Sequence, residues 1–345
     1  MKKRVVILTI IVLCIATAVF AGAQSEKQQK VTLSYGYISP ELTPEQNNVT
    51  AFAYEFKRHL ETASNGEVTV DLYPGGQLGS FPEMIQGVMK GSIDIALVNV
   101  IPLNNFYEES MIFGLPGVFA DRNECTAILQ GEWGQTFNER MEKELGVKVL
   151  FHYSSGMRHF TNSKRELRVP EDARGLTFRT MESPVSIKMA EAIGAKAVPI
   201  ASSEMYIAMQ NKVVDGQENP ITSIIQDLTY EVQKYLVLDG HFSSSMILLM
   251  NAKTYDNLSN DVKGMIANGV QKGWSVGSKV IERQELEGIE FLQSKGMIVY
   301  EPTATELERW HEAVAGPTHA YVRSQLGNEL VDGLLQAVDV YRSKK

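Results

Sequence analysis

What most constrains the fold of this chain is a steady alternation of short β-like segments with longer α-like ones. Residues 31–36 alternate apolar and polar side chains, and Val49, Phe52, Ala53, Phe56, Leu60 and Ala63 then recur at helical spacing. Asn65-Gly66 stops that helix, residues 68–73 form a second strand, and Pro74-Gly75-Gly76 ends it. Residues 81–90 then read as a helix and 93–100 as a third strand. The pattern continues with helical residues 122–145, strand-like 147–151, a strand at 176–180, a helix opened by Ser183-Pro184, a helix at 203–210 and strand-like 213–216. Such a βαβ succession predicts an α/β fold with mostly parallel sheets between helices and ligand crevices at the carboxyl ends of strands. Ser259 caps a further helix that meets no proline before Pro302. Continued to Ser294, it would span roughly 50 Å at about 1.5 Å per residue, enough to bridge two lobes. Two more helices are expected at 303–326 and 328–341. A chain of 345 residues exceeds one comfortable core and suits two domains.

The first residues read as targeting sequence rather than fold. Met1-Lys2-Lys3-Arg4 is positive, residues 5–20 carry no charge, and Ala21-Gly22-Ala23 precedes polar Gln24-Ser25-Glu26. This is the pattern of a cleavable signal peptide over residues 1–23, which places the remainder in the periplasm. The apolar run falls short of the roughly 20 residues of a spanning helix, and Leu13 before Cys14 argues against a lipoprotein. Cleavage takes the net charge from −8 to −11. So acidic a chain, with no basic stripe, is a poor partner for nucleic acid. Only Cys125 would remain, so no intramolecular disulfide is expected, and its neighbours Thr126-Ala127-Ile128-Leu129 make it a packing residue.

Searches for catalytic patterns return nothing. The sequence has no Gly-x-Ser-x-Gly elbow, phosphate loop, Gly-x-Gly-x-x-Gly or His-Glu-x-x-His. Its six histidines form no cluster with cysteines or acids, so neither a metal nor a cofactor is implied. Instead, Arg158 follows a strand-like segment and Arg179 ends the strand 176–180, where α/β proteins bind ligands. A guanidinium presents a planar, permanently charged fork that matches a carboxylate with two parallel hydrogen bonds. Each arginine equally fits a structural ion pair, and Asn219, just before Pro220, equally fits a helix cap.

Several blocks then occur in order: Gly76-Gln77-Leu78-Gly79, Gly156-x-Arg158 with Thr161-Asn162-Ser163, Gly175-Leu176 with Arg179, Ser203-Glu204-x-Tyr206, Val214-Asp215-Gly216-Gln217-Glu218-Asn219-Pro220, and Tyr230-Glu231-Val232-Gln233-Lys234-Tyr235. Together they resemble the extracytoplasmic solute-binding proteins of TRAP transporters, of the C4-dicarboxylate-binding type. The resemblance implies a two-lobe periplasmic-binding-protein fold, type II-like, with crossing strands and a long helix spanning both lobes. The lobes would be residues 31–156 with 246–284, and 157–245 with 285–340. It also implies a monomer that captures a small carboxylate between the lobes and hands it to TRAP membrane subunits, without enzymatic activity. Arg179 takes the place of the principal carboxylate anchor, Arg158 of the second basic contact and Asn219 of the assisting amide. Tyr37, Phe81, Asn99, Glu182, Ser202 and His241 take the remaining pocket positions. Ser202 stands where some relatives carry an aromatic ring, which argues against a sialic-acid-like ligand. A sugar acid, a hydroxy acid and a dicarboxylate stay open, as does a sensory protein of the same fold; a secreted lyase or hydrolase lacks a nucleophile and base.

Overall fold

The computed structural model describes residues 30–345, so the export signal expected at residues 1–23 lies outside the described residues. In chain order the first half runs β1 (Val31–Tyr37), α1 (Asn48–Ala63), β2 (Val68–Tyr73), α2 (Phe81–Lys90), β3 (Ile95–Asn99), α3 (Arg122–Gln130), α4 (Glu132–Leu145) and β4 (Val147–Asn162). There follow β5 (Thr177–Thr180), α5 (Pro184–Ala192), β6 (Lys196–Pro199), α6 (Met205–Gln210), β7 (Gly216–Pro220), α7 (Ile221–Gln226), β8 (Tyr235–Val237) and β9 (Phe242–Asn251). The chain ends with α8 (Ala252–Asn257), α9 (Asn260–Ser294), β10 (Ile298–Tyr300), α10 (Ala304–Leu326) and α11 (Asn328–Arg342).

The sheet has the order β2-β1-β3-β9-β4-β7-β5-β6, with β8 and β10 attached beside β4. Its flanks are parallel, as the βαβ succession predicts: β1 with β2 and β3, and β5 with β6 and β7. Its centre is antiparallel, because β9 pairs with both β3 and β4, and β4 pairs with β7. The expectation of mostly parallel sheets therefore fails at the middle. There the strand expected at 147–151 runs on to Asn162, turning through a bulge at Ser154/Gly156 where Gly156 takes φ +127°. The first part of β4 ladders with β9, and its last residues ladder with β7, from Arg158 opposite Pro220 to Asn162 opposite Gly216. These two strands cross between the lobes.

Apolar clusters on the two faces of the first-lobe sheet, around Ile101, Phe113 and Phe137 and around Phe52, Phe56 and Leu97, form its core. Phe160, Phe178, Trp310 and Val314 fill the second lobe. Val331, Leu334 and Val338 of α11 belong to the cluster that includes Ile101, Phe113 and Phe137, and Arg342 pairs with Glu124 at 2.8 Å.

Helix α9 is 35 residues long, capped by the Ser259 hydroxyl on the Val262 N–H, and matches the expected bounds. Its glycines at 269, 273 and 277, four apart, form one strip against α1. A Cβ on Gly273 would meet the Phe52 carbonyl oxygen at 2.9 Å, and one on Gly277 the Asn48 carbonyl oxygen at 3.0 Å. The strip gives up helix propensity so that two backbones can approach. Gly264, exposed in the same helix with nothing within 4 Å of its Cβ position, is the control. In denaturant melts Gly264→Ala should raise stability by about 0.5–1 kcal/mol, and Gly273→Ala should lower it by roughly 1–3 kcal/mol. Equal effects at the two positions would refute close packing as the reason for the strip.

Candidate ligand-binding site

Tyr37 closes β1, Asn99 closes β3 and Phe81 opens α2, so the carboxyl ends of the first-lobe strands face one cavity. Arg158 from β4, Asn219 from β7 and Ser202 from the turn after β6 line it from the other side. The cavity encloses about 70 Å³. That is room for several waters, so the cavity is of small-molecule size. Amide contacts cross between the lobes around it. Asn104 Nδ2 donates to Ser183 Oγ at 3.0 Å, Asn105 Nδ2 to the Glu182 carbonyl at 2.9 Å, and Gln226 Nε2 to Asn48 Oδ1 at 2.9 Å.

Arg158, 1% exposed, is held on nearly all sides. Its Nε donates to Glu218 Oε2, its Nη2 to Glu218 Oε1 at 3.0 Å and to the Glu218 carbonyl at 2.6 Å, and its Nη1 to Ser244 Oγ at 3.1 Å. A guanidinium has five N–H groups, so one on Nη1 remains for the cavity. Burial alone would raise the Glu218 carboxyl, but Arg158 and His241 outweigh it and hold the group down at about 2. Behind this pair His241 lies 3.5 Å from Glu218 Oε2 and 2.6 Å from Asp239 Oδ2, stacked on Phe160. Sequence reasoning missed Glu218. The ladder places it diagonal to Arg158, two residues before Pro220, which is the neighbour relation that lets long side chains meet across strands.

Arg179, 2% exposed, differs in kind. Its Nε donates to the Ile200 carbonyl at 2.8 Å and its Nη2 to Ser202 Oγ at 3.0 Å, and among the described residues no carboxylate pairs with it. Burial pushes its guanidinium down to about 10, with Glu218 acting in the opposite sense. It stands directly behind Ser202 rather than on the cavity wall itself. Asn219 is oriented by an amide relay: its Nδ2 donates to Gln217 Oε1 at 2.5 Å, and Gln217 Nε2 donates to Thr161 Oγ1 at 2.8 Å. Gly216 belongs to the same block because a Cβ there would lie 2.3 Å from the Thr161 carbonyl oxygen. The ladder accordingly forms at Gly216–Pro220 rather than at the expected 213–216, and Val213 is exposed.

Three expected pocket residues are off the cavity wall: Arg179, behind Ser202, and two more. His241 is fully buried behind Glu218 and does not reach the cavity, so its place is to support Arg158 rather than to touch a ligand. Glu182 contributes its backbone carbonyl to the bridge from Asn105, and its side chain is not on the cavity wall. Asn99 lines the cavity with both ends of its amide engaged, Oδ1 by the Ile101 N–H and Nδ2 by Ser244. The Tyr37 hydroxyl is buried without a partner among the described residues. Residues not singled out from the sequence, among them Met205, Thr222, Gln226 and Asp227, also line the cavity. Among the described residues no group of three His, Cys, Asp or Glu side chains converges as a metal site.

Burial opposes charge on His241, but Asp239 and Glu218 outweigh it and lift the imidazole to about 9. A folded-state value above the unfolded one near 6.5 means that the stabilisation is full below about 6.5 and lost as pH rises through 9. The difference in unfolding free energy between the wild type and His241→Gln should therefore shrink from pH 6 to pH 9.5. A difference that stays constant over that range would refute a charged His241.

A family of bacterial extracellular solute-binding proteins, family 7, matches residues 38–325. A solute-binding protein of Verminephrobacter eiseniae is 31% identical over 282 residues, covering 82% of this chain and 83% of that one. The sialic acid-binding periplasmic protein SiaP of Vibrio cholerae is 30% identical, covering 80% and 84%. Among solved structures, a TRAP periplasmic solute-binding protein of Polaromonas bound to D-erythronate superposes with a TM-score of 0.82 at 31% identity, covering 88% and 98%. A sugar acid binding protein of Advenella mimigardefordensis in complex with galactonate gives 0.84 at 27% identity, covering 90% and 98%.

Proposed function

The chain belongs to the bacterial extracellular solute-binding proteins of family 7, and we propose that it captures a small organic acid between its lobes and delivers it to the membrane subunits of a TRAP transporter. It is a binding protein and not an enzyme. The observation that carries the reading is Arg179, a buried guanidinium with no carboxylate in contact with it among the described residues. Leaving such a charge unpaired is costly unless an anion completes the site. A ligand carboxylate held by the remaining N–H of Arg158 and the amide of Asn219 would lie across Ser202 from Arg179 and supply that anion. Tyr37 and Phe81 provide the apolar wall. That two solved relatives hold D-erythronate and galactonate supports a small organic acid as the ligand.

The mechanism is closure coupled to desolvation. In an open cleft the arginine donors are hydrated, and the ligand carboxylate replaces that water with charge-assisted hydrogen bonds. The bridges Asn104–Ser183, Asn105–Glu182 and Gln226–Asn48 then form between lobes, so the ligand shifts the population toward the closed form. The membrane subunits receive that form. The periplasm of the relatives and the export signal expected at the N-terminus support a site of action outside the cytoplasm.

A thermal-shift panel of organic and sugar acids tests the reading: at 100 times its dissociation constant a ligand should add about 2.7 kcal/mol of stability. Arg179→Ala should remain folded and lose roughly 2–5 kcal/mol of binding, which is about 30-fold to several thousand-fold in Kd. If no acid of the panel shifts the wild-type melt, the reading fails.

A further inference from the structure

The cavity has one charged lining residue besides Arg158, and it is acidic. Asp227 follows the last turn of α7, where its N–H donates to the Ser223 carbonyl at 2.8 Å. The next residue, Leu228, takes φ +54°, a left-handed conformation that a bulky side chain adopts only under constraint. The preceding Gln226 is tied to Asn48 at 2.9 Å and to Gln284 at 2.6 Å. The backbone is thus pinned on both sides of Asp227, which keeps its carboxylate on the cavity wall. That carboxylate makes neither an ion pair nor a hydrogen bond among the described residues.

The charges around the cavity can be counted. Glu218 neutralises Arg158, and Asp239 neutralises His241. What remains is one guanidinium, Arg179, and one carboxylate, Asp227, neither held in an ion pair among the described residues, each favouring the charged form of the other. A single ligand carboxylate completes the first. The second is an acceptor only: it takes the O–H of a hydroxyl and repels another carboxylate. Burial lifts the Asp227 carboxyl to about 6, Arg179 and Arg158 acting the other way, so the acceptor form prevails at neutral pH.

We propose that Asp227 determines specificity by accepting a hydrogen bond from a ligand hydroxyl, so that the site selects hydroxylated monocarboxylic acids over unsubstituted dicarboxylates. The inference rests on the acid-binding reading and names the class of acid. Other cavity groups do not supply this discrimination: Ser155, Ser202, Ser223 and Ser244 both donate and accept, and Asn99 is fully engaged. A dicarboxylate would leave two anions to face one guanidinium outside an ion pair and Asp227.

The test is calorimetry at pH 7.5 on the wild type, Asp227→Asn and Asp227→Ser, with erythronate, xylonate and gluconate as hydroxylated probes and succinate and butyrate as comparators. Asparagine keeps the shape and removes the charge; serine checks that any effect does not come from the new amide, and thermal melts without ligand verify folding of both. In the wild type at least one hydroxylated acid should bind about tenfold or more tightly than succinate, and both variants should erase most of that preference. Wild-type binding of succinate as tight as that of every hydroxylated acid, or a preference unchanged in both variants, overturns the role of Asp227 while leaving acid binding intact. Absence of binding by every acid overturns this inference together with the function it rests on.

Discussion

The Arg158–Glu218 pair is the interaction on which the rest of this molecule depends. It sits where β4, β7 and β9 meet, the point at which one lobe's sheet passes into the other's. Burying two charges is expensive, and a pair of this kind is tolerable only when nearly every lone pair and proton is used. Here Glu218 receives two guanidinium donors, its own carbonyl a third, and Ser244 from the adjacent crossing strand a fourth. Asp239 and His241 extend the network from the turn that leads into β9. Removing one partner would strand a buried charge at a cost of about 3–5 kcal/mol. Arg158 therefore belongs first to the crossing point and only second to a ligand.

The same pair sets the electrostatic condition of the cavity. Because Glu218 is paired with Arg158, it acts on Arg179 only from a distance, and the Arg179 guanidinium is held directly by a carbonyl and a hydroxyl, both neutral. Two arginines that look alike in the sequence thus end in different states, one in direct contact with a carboxylate and one not. The second is held by the turn that carries Ser202, and the amide relay through Gln217 and Thr161 fixes Asn219 nearby. A preorganised site loses less on binding than one that must assemble around its ligand.

Much of this was legible along the chain. The cap at Ser259 and the absence of proline set the long helix, and residues 81–90 formed the expected helix because apolar spacing, a capping box and Gly91 agree. Cys125 is buried, and burial pushes its thiol to about 12, consistent with a packing residue. What escaped was non-local. Gly216-Gln217-Glu218-Asn219-Pro220 has almost no strand propensity, yet it forms β7 because Gly216 alone fits between Thr161 and Phe178. Ser243-Ser244-Ser245 within β9 shows no apolar alternation, since it is buried against polar neighbours at the crossing. Asp227 carries no local mark, being an acid at the end of a short helix.

The sequence by itself determined the α/β class, the long bridging helix, the export signal as an expectation, and the position of Arg179 at the end of a strand, whereas Arg158, expected past a strand, lies within β4. Periodicity, caps and spacing are local, and local physics is written in neighbouring residues. Only the tertiary structure decided that Glu218 neutralises Arg158, that His241 stands behind the site, that α11 packs with Ile101, Phe113 and Phe137 and that Asp227 shares a cavity with Tyr37 and Phe81. Each of those facts joins residues far apart in the chain, and the partner of a buried charge is fixed by which strands the ladder brings together.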